Sequence, residues 1–410
     1  MMLDAQAVLA GCDRLATLSS LEDGIERVYL SSEHARANQL VGEWAGSAGM
    51  RTWQDAAGNL CGRLEGRRPG MPALLLASHL DTVPHAGRYD GILGVLVAIA
   101  VIGRLKRDKR QLPFAVELAG FADEEGTRFG ATLLGSRALA GSWDPDWWQL
   151  TDAKGISLEQ AFSAFGLDPA RVGEAARDPA SLIGYLEVHI EQGPVLEARD
   201  RALGVVTSIA GARRFAVTLE GQAGHAGTNP FALRHDALCA ASEAVLSIET
   251  LSRAAGCVGT VGQLTVSPGA VNVIPGRVDF SIDLRGEEDA TRDRVWHAID
   301  ETLSRIGEAR GVSVSRRETH RASAQLCSPR LQEIVAEGIR ATGDTAPLRL
   351  FSGAGHDAMA VGALTEVGML FVRCAGGISH HPDEAVSQQD VARAIDALEA
   401  SVLALARRCD

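Results

Sequence analysis

The sequence predicts an α/β fold of two domains: a larger domain with a mostly parallel central sheet flanked by helices, and a smaller βαββαβ domain inserted into it. With 410 residues, the chain exceeds the size at which one compact core is usual. Short apolar runs without polar alternation, as at residues 73–77 and 369–372, are typical of strands buried on both faces of a parallel sheet. Near Gly211 this pattern gives way to alternating strands and amphipathic helices, and near Ser328 it returns.

The first 50 residues are predicted to form helices, because apolar residues such as Val41 and Trp44 lie at helical spacing behind a Ser-Ser start. A strand, a turn at residues 55–58 and a second strand at residues 59–64 follow. We expect these elements to serve as scaffold.

The segment ALLLASHLDTVPHAGRYDG, residues 73–91, organises the larger domain. Its apolar run predicts a buried strand that carries His79 and Asp81 at its carboxyl end, which is where open parallel sheets bind ligands. Asp90 precedes a Gly-rich entry into a predicted helix at residues 94–104. We therefore expect one half of a metal site here.

Two further apolar runs end in the same kinds of residue. FAVELAGFA leads into Glu124 and Glu125, and YLEVHIEQGP carries His189 and Gln192. Adjacent carboxylates at a strand end point in different directions, so one can bind a metal while its neighbour faces a water molecule. Residues 127–180, between the two runs, are predicted to contain a turn, helices and polar connections.

Residues 211–327 are predicted to form the inserted domain, of the ferredoxin-like βαββαβ type. Its predicted elements are a strand at 215–220, a helix at 231–255, strands at 257–266 and 276–285, a helix at 287–310 and a strand at 312–315. The larger domain would then comprise residues 1–210 and 328–410, because the C-terminal part alone is too short to bury a core. Within that part we expect a helix at 329–342, strands at 348–351 and 369–372, and a final helix from residue 388.

Composition excludes several classes of function. The net charge of −12, without a run of Lys and Arg, argues against nucleic-acid binding, and a small anionic substrate would need local arginines. The seven cysteines include no CxxC pair, so neither a disulfide framework nor a cysteine zinc site is expected. The N-terminus lacks a signal-peptide pattern, and the longest apolar run, residues 91–103, is shorter than the roughly 20 residues of a membrane span. We therefore expect a cytoplasmic protein without membrane contact.

Histidines and carboxylates recur at strand ends or in Gly-flanked loops at five places in the chain. These are His79 with Asp81, Asp90, Glu124 with Glu125, His189, and His380 with His381. One such residue is more often structural, but five places on strands that should end at one sheet edge favour a metal site. Mixed imidazole and carboxylate ligands suit Zn²⁺, Mn²⁺, Co²⁺ or Ni²⁺, and more than four ligands suggest two ions that share a carboxylate.

Six ordered motifs carry a resemblance to a known family. They are HLDTVPHAGRYDG, FADEEGTRFG, EVHIEQGP, GHAGTNP, GAVNVIPG with DLR, and GGISHHPDE. Together they resemble the dinuclear metallo-amidohydrolases related to aminoacylases and carboxypeptidase-type metallopeptidases. Within that family they are similar to the branch of allantoate amidohydrolase, N-carbamoyl-L-amino-acid hydrolase and β-ureidopropionase. The motifs extend from residue 79 to residue 384, so the resemblance covers essentially the whole chain.

The resemblance implies two divalent metal ions per subunit, Mn²⁺ or Zn²⁺, with Co²⁺ or Ni²⁺ as alternatives. The implied ligands are His79, Asp90, Glu125, His189 and His380. Asp90 would bridge the two ions. Glu124 would be the general base, which takes a proton from the attacking water and passes it to the leaving nitrogen. Asp81 would accept the other ring N–H of His79 and fix its tautomer.

The last ligand is ambiguous within its motif, because GGISHHPDE holds two adjacent histidines. The family pattern places the ligand directly after Ile-Ser and four residues before a Glu, and Glu384 follows His380 at that spacing. We therefore expect His380 to be the ligand and His381 to be a neighbour that does not bind.

Substrate contacts are implied mainly for the inserted domain, which would act as a dimerisation and lid domain over the catalytic one. His225 matches a histidine that stabilises the tetrahedral oxyanion and that the neighbouring subunit supplies in relatives, so a homodimer is implied. Asn272 and Arg285 match amide and guanidinium contacts to substrate, and the planar fork of Arg285 suits a carboxylate. Gln192, shortly after His189, would contact the ureido group.

Arg214 is the residue that favours one substrate over another. Allantoate carries one carboxylate flanked by two ureido arms, and allantoate hydrolases resemble this chain in having an Arg-Arg pair here. The expected activity is therefore hydrolysis of the ureido C–N bond of allantoate, with release of ammonia and carbon dioxide. The same chemistry on an N-carbamoyl-L-amino acid or on N-carbamoyl-β-alanine is the alternative, since these substrates also carry a carboxylate.

Two other functions are less favoured by the residues. A peptidase or deacylase would not need a ureido-reading amide at Gln192. A binding protein that had lost catalysis should lack the base or a ligand, whereas Glu124 and a full ligand set are present.

Overall fold

The structure, a computed structural model, describes residues 2–409, within which eleven α-helices and sixteen strands are formed. The helices are α1 (Ala5–Ala16), α2 (Ser32–Ser47), α3 (Ile92–Arg107), α4 (Leu134–Leu139), α5 (Leu158–Ala164), α6 (Val195–Ala198), α7 (Ala237–Ala254), α8 (Asp289–Arg310), α9 (Pro329–Ala341), α10 (Ala358–Val361) and α11 (Gln388–Cys409). The strands are β1 (Arg51–Gln54), β2 (Leu60–Leu64), β3 (Ala73–His79), β4 (Ala115–Phe121), β5 (Leu182–Ile190), β6 (Leu203–Ile209), β7 (Gly211–Glu220), β8 (Gly224–His225), β9 (Val258–Thr260), β10 (Leu264–Ser267), β11 (Val273–Ile274), β12 (Arg277–Gly286), β13 (Ser313–Ala322), β14 (Gln325–Leu326), β15 (Leu348–Ser352) and β16 (Val367–Val372).

The chain divides into two units. The first unit comprises the chain up to Thr207, Cys327–Leu350 and the chain from Ala354 onward. The second unit comprises Ser208–Leu326 and Phe351–Gly353.

A mixed sheet with a parallel centre forms the middle of the first unit. Its strands lie in the order β1-β2-β4-β3-β5-β16-β6. The central strands β4, β3, β5 and β16 are parallel to their neighbours within that group, and β1, β2 and β6 pair antiparallel. Every residue of β3 and β4 is buried, which explains why their sequences show no polar alternation. The predicted α/β class with a mostly parallel central sheet is confirmed.

Helix α3 packs against β3 and β5 of this sheet. It is buried almost all round because its residues are apolar on every face. Its N-cap is Gly91, whose φ of 69° lies in the left-handed region, and a Cβ atom there would come within 2.4 Å of the His79 ring. Among residues 2–409, no helix has both the length and the apolar character needed to cross a membrane.

The second unit contains an antiparallel sheet in the order β10-β12-β7-β13, with β9 also paired to β12. One face of this sheet packs on α7 and α8 around an apolar core. Several elements differ from the sequence prediction: β7 and β13 are longer than predicted, and β8, β11 and β14 were not predicted. The helix predicted from residue 231 begins at Ala237, because the Asp236 carboxylate caps it by accepting the amide N–H groups of Leu238 and Cys239. The strand predicted at 257–266 is two short strands, β9 and β10.

Candidate metal centre

The parallel strands bring the predicted ligands to one edge of the first unit's sheet. β3 ends at His79, β4 ends shortly before Glu124 and Glu125, and β5 carries His189 near its end. His380 lies in the loop after β16. Because these strands are parallel neighbours, their carboxyl ends lie side by side, and residues far apart in sequence meet there.

Asp90 lies at the centre of this group, in the turn before α3. Its Oδ1 atom is 3.2 Å from Nε2 of His189 and 3.7 Å from Nε2 of His79. Its Oδ2 atom is 3.0 Å from Nε2 of His380, and that nitrogen is 3.2 Å from Oε1 of Glu125. The two carboxylate oxygens therefore face two different sets of side chains.

The donor atoms fit two divalent cations. Atoms of His79, Asp90 and His189 lie within 4.8 Å of one another, and so do atoms of Asp90, Glu125 and His380. Ligands at about 2.1 Å from a common ion lie about 3.0–3.4 Å apart, close to the separations measured around Asp90. Nε2 of His189 is buried and makes no well-formed hydrogen bond within the described chain, which suits a metal ligand.

Backbone carbonyls orient two of the histidines. Nδ1 of His79 lies 3.1 Å from the carbonyl oxygen of Asp81, and Nδ1 of His189 lies 2.9 Å from that of Ile190. A carbonyl only accepts hydrogen bonds, so each Nδ1 carries a proton and each Nε2 is the nitrogen that can bind a cation. Both Nε2 atoms face Asp90.

Asp81 acts differently from the expectation that its carboxylate receives the His79 ring N–H. That carboxylate is 3.5 Å from Nδ1, farther than the Asp81 carbonyl oxygen. Its two oxygens instead accept the backbone N–H groups of Glu124, at 3.0 Å, and Glu125, at 3.1 Å. Asp81 thus fixes the backbone that carries both glutamates.

Charge and burial shift the protonation of the cluster. Burial raises the pKa of Glu124 well above its ordinary value, and the charges of Glu125 and Asp357 act in the same direction. Burial alone would also raise the pKa of Asp90, but its close contacts with His189, His380 and His79 hold that pKa well below its ordinary value. Glu124 is therefore the carboxyl group suited to carrying a proton, and Asp90 the one suited to remaining ionised.

Gln192 contacts the cluster itself. Its Nε2 atom donates to Oδ2 of Asp90 and to Oγ of Ser379, both at 3.0 Å, and lies 3.4 Å from Nε2 of His380. The residue takes a left-handed φ of 55°, which turns its side chain toward Asp90. Gln192 therefore lies beside the candidate ligands, with Asp90 as its partner.

The two adjacent histidines of GGISHHPDE point in different directions. His380 reaches Asp90 and Glu125, whereas the imidazole of His381 is 59% exposed and accepts the backbone N–H of Asp383 at 3.2 Å. Hydrogen bonds to Asp90 and then to Glu125 raise the pKa of His380 to about 10. The geometry favours His380 as the ligand.

Several polar residues near the cluster were not singled out by sequence reasoning. The ring of His356 packs edge-on against that of His189, with centroids 4.4 Å apart, and Asp357 beside it is fully buried. Glu187 accepts hydrogen bonds from Ser78, at 2.9 Å, and from a tyrosine hydroxyl. The sequence feature that could have indicated His356 and Asp357 is the Gly-rich segment SGAGHDA after a predicted strand. Glu187 could have been found because it lies two residues before His189, on the same side of β5.

Arg214 and Arg285 meet on one carboxylate in the second unit. Nε and one terminal nitrogen of Arg285 bind the two oxygens of Asp283 at 2.9 and 3.0 Å, and Nε of Arg214 binds Asp283 at 3.0 Å. The other terminal nitrogen of Arg285 donates to the Gly353 carbonyl at 2.6 Å. This group lines a surface pocket of about 650 Å³ and carries more positive than negative charge. Nε and both terminal nitrogens of Arg285 are thus held by partners within this unit.

His225 and Asn272 also lie together in the second unit. β8 and β11 pair so that His225 lies opposite Val273, and the N–H of Ala226 donates to the carbonyl of Asn272 at 3.0 Å. His225 is exposed. The structure therefore groups the predicted substrate residues of this unit into two pairs, Arg214 with Arg285 and His225 with Asn272.

Comparison with known proteins places this geometry in context. The sequence pattern of Peptidase family M20/M25/M40 matches residues 75–404. The chain is 40% identical to an allantoate deiminase of Arabidopsis thaliana, over 94% of this chain and 79% of that protein. It is also 40% identical to an N-carbamoyl-L-amino acid amidohydrolase of Geobacillus stearothermophilus, over 94% of both. A crystal structure of an amidase of the hydantoinase/carbamoylase family from Burkholderia multivorans superimposes with a TM-score of 0.92 at 29% identity, covering 100% of this chain and 99% of that one.

Proposed function

The chain belongs to Peptidase family M20/M25/M40, and we propose that it is a metal-dependent amidohydrolase that cleaves the ureido C–N bond of allantoate, releasing ammonia and carbon dioxide. The observation that carries the proposal is Asp90, whose two oxygens face two separate sets of metal-binding side chains. Relatives named as an allantoate deiminase and an N-carbamoyl-L-amino acid amidohydrolase support a ureido or carbamoyl substrate.

Two divalent cations, Mn²⁺ or Zn²⁺ with Co²⁺ or Ni²⁺ as alternatives, are proposed to bind at this edge. Their ligands would be His79, Asp90, Glu125, His189 and His380. Bound divalent cations polarise a scissile carbonyl and lower the pKa of water. The chain contributes by holding Nδ1 of His79 and of His189 against backbone carbonyls, which leaves Nε2 of each ring to bind a cation.

Glu124 is proposed to move the proton. It would accept a proton from the water that attacks the ureido carbon, as the new C–O bond forms, and pass it to the nitrogen that leaves as the C–N bond breaks. Its raised pKa, caused first by burial, lets it hold the proton between these two transfers. Asp81 supports this role, because it accepts the backbone N–H of Glu124 at 3.0 Å and so holds the general base in place.

Arg214 and Arg285 are proposed to bind the substrate carboxylate. Their net positive group around Asp283 supports this, because guanidinium groups suit carboxylates. Asn272 and His225 are proposed to contact the substrate amide and the oxyanion, respectively. Gln192 is proposed to contact the ureido group after it exchanges its present bond to Asp90.

The second unit is proposed to be a ferredoxin-like dimerisation and lid domain, inserted at residues 211–327 between catalytic segments 1–210 and 328–410. The strand order β10-β12-β7-β13, with two helices on one face, supports this description. Leu246 on α7 and Leu264 on β10, an edge strand, are 65% and 44% exposed, which supports a homodimer through this domain. Light scattering that finds only monomer at micromolar concentration would contradict the homodimer and the role of His225 in trans.

Hydrolysis of an N-carbamoyl-L-amino acid or of N-carbamoyl-β-alanine is the second candidate, supported by the relative from Geobacillus stearothermophilus. Ammonia release from allantoate, N-carbamoyl-L-methionine and N-carbamoyl-β-alanine should be measured side by side with Mn²⁺, Zn²⁺ and Co²⁺. We expect the largest kcat/KM with allantoate. A larger value with N-carbamoyl-L-methionine would transfer the assignment to the second candidate.

A further inference from the structure

Glu384 is a buried carboxylate that the proposed chemistry leaves without a role. It is 4% exposed and lies four residues after His380. Its Oε1 atom accepts the backbone N–H groups of Tyr89, at 2.8 Å, and Asp90, at 3.2 Å. Its Oε2 atom accepts the hydroxyl of Ser379 at 3.0 Å. One side chain thus joins the turn that carries Asp90 to the loop that carries His380.

The amino end of α3 explains why a carboxylate is suited to this place. Its N-cap is Gly91, so the helix has no capping side chain of its own. Amide N–H groups at a helix start lack partners within the helix and favour a negative charge. Glu384 accepts the amides of Tyr89 and Asp90, which directly precede this helix start, so its charge lies beside the amino end of α3. The turn makes room for it, since a Cβ atom on Gly87 would come within 2.2 Å of Oε1.

Ser379 connects Glu384 to the metal-binding face of Asp90. Its Oγ atom lies 3.0 Å from Oε2 of Glu384 and 3.3 Å from Oδ2 of Asp90, but a hydroxyl has only one proton to donate. The shorter distance directs that proton to Glu384. Gln192 donates to the same Oγ atom at 3.0 Å and so occupies its acceptor side. Glu384 thereby draws the hydroxyl proton away from Oδ2 of Asp90, which spares that oxygen one hydrogen bond that would compete with a cation.

We propose that Glu384 is a positioning residue, which fixes Asp90 and the Ser379–His380 segment relative to each other and so raises the affinity of the cation position formed by Asp90, Glu125 and His380. The inference rests on the proposed metal-dependent function. The position formed with His79 and His189 depends on it less, because backbone carbonyls orient those two histidines.

Amide hydrogen exchange of the metal-free, full-length protein tests the positioning without any activity measurement. In Glu384→Ala the amides of Tyr89 and Asp90 lose their acceptor, so we expect their exchange to accelerate at least about tenfold. Glu384→Gln retains an acceptor oxygen and should stay within about threefold of the wild type. Unchanged exchange in folded Glu384→Ala would overturn the proposal.

A matched control variant is Asp152→Ala. The Asp152 carboxylate also accepts two backbone N–H groups, of Lys154 at 2.9 Å and Ile156 at 3.0 Å, but contacts none of the proposed ligands. This variant should accelerate exchange at residues 152–156 and leave residues 86–91 unchanged. Acceleration at both segments would show a general loosening and would overturn the specific role of Glu384.

Calorimetric titration of the metal-free proteins with Mn²⁺ tests the second half of the proposal. We expect Glu384→Ala to raise one of the two dissociation constants at least about tenfold and to change the other by less than about threefold. Glu384→Gln should restore most of the loss. Equal weakening of both ions, or of neither, would overturn the proposal.

Two further results keep the outcomes separate. Should Glu384→Ala fail to fold, Ser379→Ala replaces it. In Ser379→Ala the same Mn²⁺ dissociation constant should rise, while amide exchange at residues 86–91 stays at the wild-type rate. An unchanged dissociation constant would overturn the proposal. Wild-type protein that binds no Mn²⁺ and releases no ammonia from any ureido substrate would refute the proposed function and the affinity effect together. The exchange measurement would still decide whether Glu384 fixes Asp90.

Discussion

Oδ1 of Asp90 lies 3.2 Å from Nε2 of His189, with both side chains almost fully buried. A buried carboxylate is costly unless positive charge or hydrogen bonds compensate it. Histidines surround Asp90 on both oxygens, and the same arrangement suits two cations that share one carboxylate. Both proposed cation positions therefore depend on Asp90.

Replacing Asp90 with Asn tests whether two cations share this carboxylate. An amide keeps one oxygen and places an NH₂ group where the other was, so both cation positions lose the negative charge that they share. We expect the affinity for each ion to fall at least about tenfold, measured as metal content after dialysis. Two ions retained at wild-type affinity would contradict the bridging role.

Glu124→Gln separates proton transfer from metal binding. The amide cannot accept the proton of the attacking water, so kcat should fall about 10²–10⁴-fold. Metal content should stay at the wild-type value, because Glu124 is not among the proposed ligands. Glu191→Gln is the control, since that carboxylate accepts the N–H groups of Val195 and Leu196 and is not among the proposed ligands. Retained turnover in Glu124→Gln would assign the base elsewhere.

His380→Ala and His381→Ala form a matched pair of neighbouring substitutions. Of these two histidines, His380 is the one that contacts Asp90 and Glu125. Its loss should therefore remove one of the two bound ions and most of the activity. His381 accepts a hydrogen bond from its own loop, so its loss should leave the metal content and the activity unchanged. Metal analysis with ammonia-release assays checks the pair, and the reverse pattern would show that the ligand is His381.

Asp283→Asn tests how the two arginines of the second unit are held. Loss of the shared charge frees Arg214 and Arg285 from their present orientation. We expect KM to rise about tenfold while kcat changes by less than about threefold, because only binding of the substrate carboxylate is affected. A lower KM would mean that Asp283 competes with the substrate for these arginines.

His34 should make stability dependent on pH. Burial lowers its pKa from the ordinary value of 6.5 to about 4, and Nδ1 accepts the N–H of Leu30 at 3.1 Å. The unfolded chain therefore takes up the proton first as pH falls. The stabilising contribution is complete above pH 6.5 and is lost progressively between pH 6.5 and 4, up to about 3 kcal/mol.

His34→Asn provides the comparison, because asparagine does not titrate in this range. Urea midpoints at pH 7 and pH 5 should fall more for the wild type than for the variant. An equal fall in both proteins would show that other groups cause the pH dependence.

The parallel part of the sheet was predictable because its signals are local. A run such as residues 73–77 must be buried on both faces, and the polar residues that follow it must lie at the sheet edge. Helices α9 and α11 begin within a residue of their predicted starts for the same reason, since their apolar periodicity is contained in the segment itself. His79 and Glu125 were found by such patterns.

Contacts between site residues that are far apart in the sequence were not predictable. Nothing near Glu384 in the sequence indicates that its carboxylate caps the turn before α3, because the partner amides of Tyr89 and Asp90 depend on how two loops meet. The partner of Gln192 was missed for a related reason: a left-handed backbone at a residue other than glycine has no clear sequence signal. His356 was overlooked because a lone histidine in a Gly-rich loop rarely has a distinct role.

The bond between Asp90 and Glu384 spans 294 positions of the chain. A ribosome that adds about 5–20 residues per second needs about 15–60 s to travel that distance. Throughout that interval the first half of the site is already synthesised while His380 and Glu384 are not, and the whole second unit is made in between. The nascent chain therefore lacks part of the candidate metal centre until β16 and the following loop have been synthesised. Hydrolysis can begin only after that.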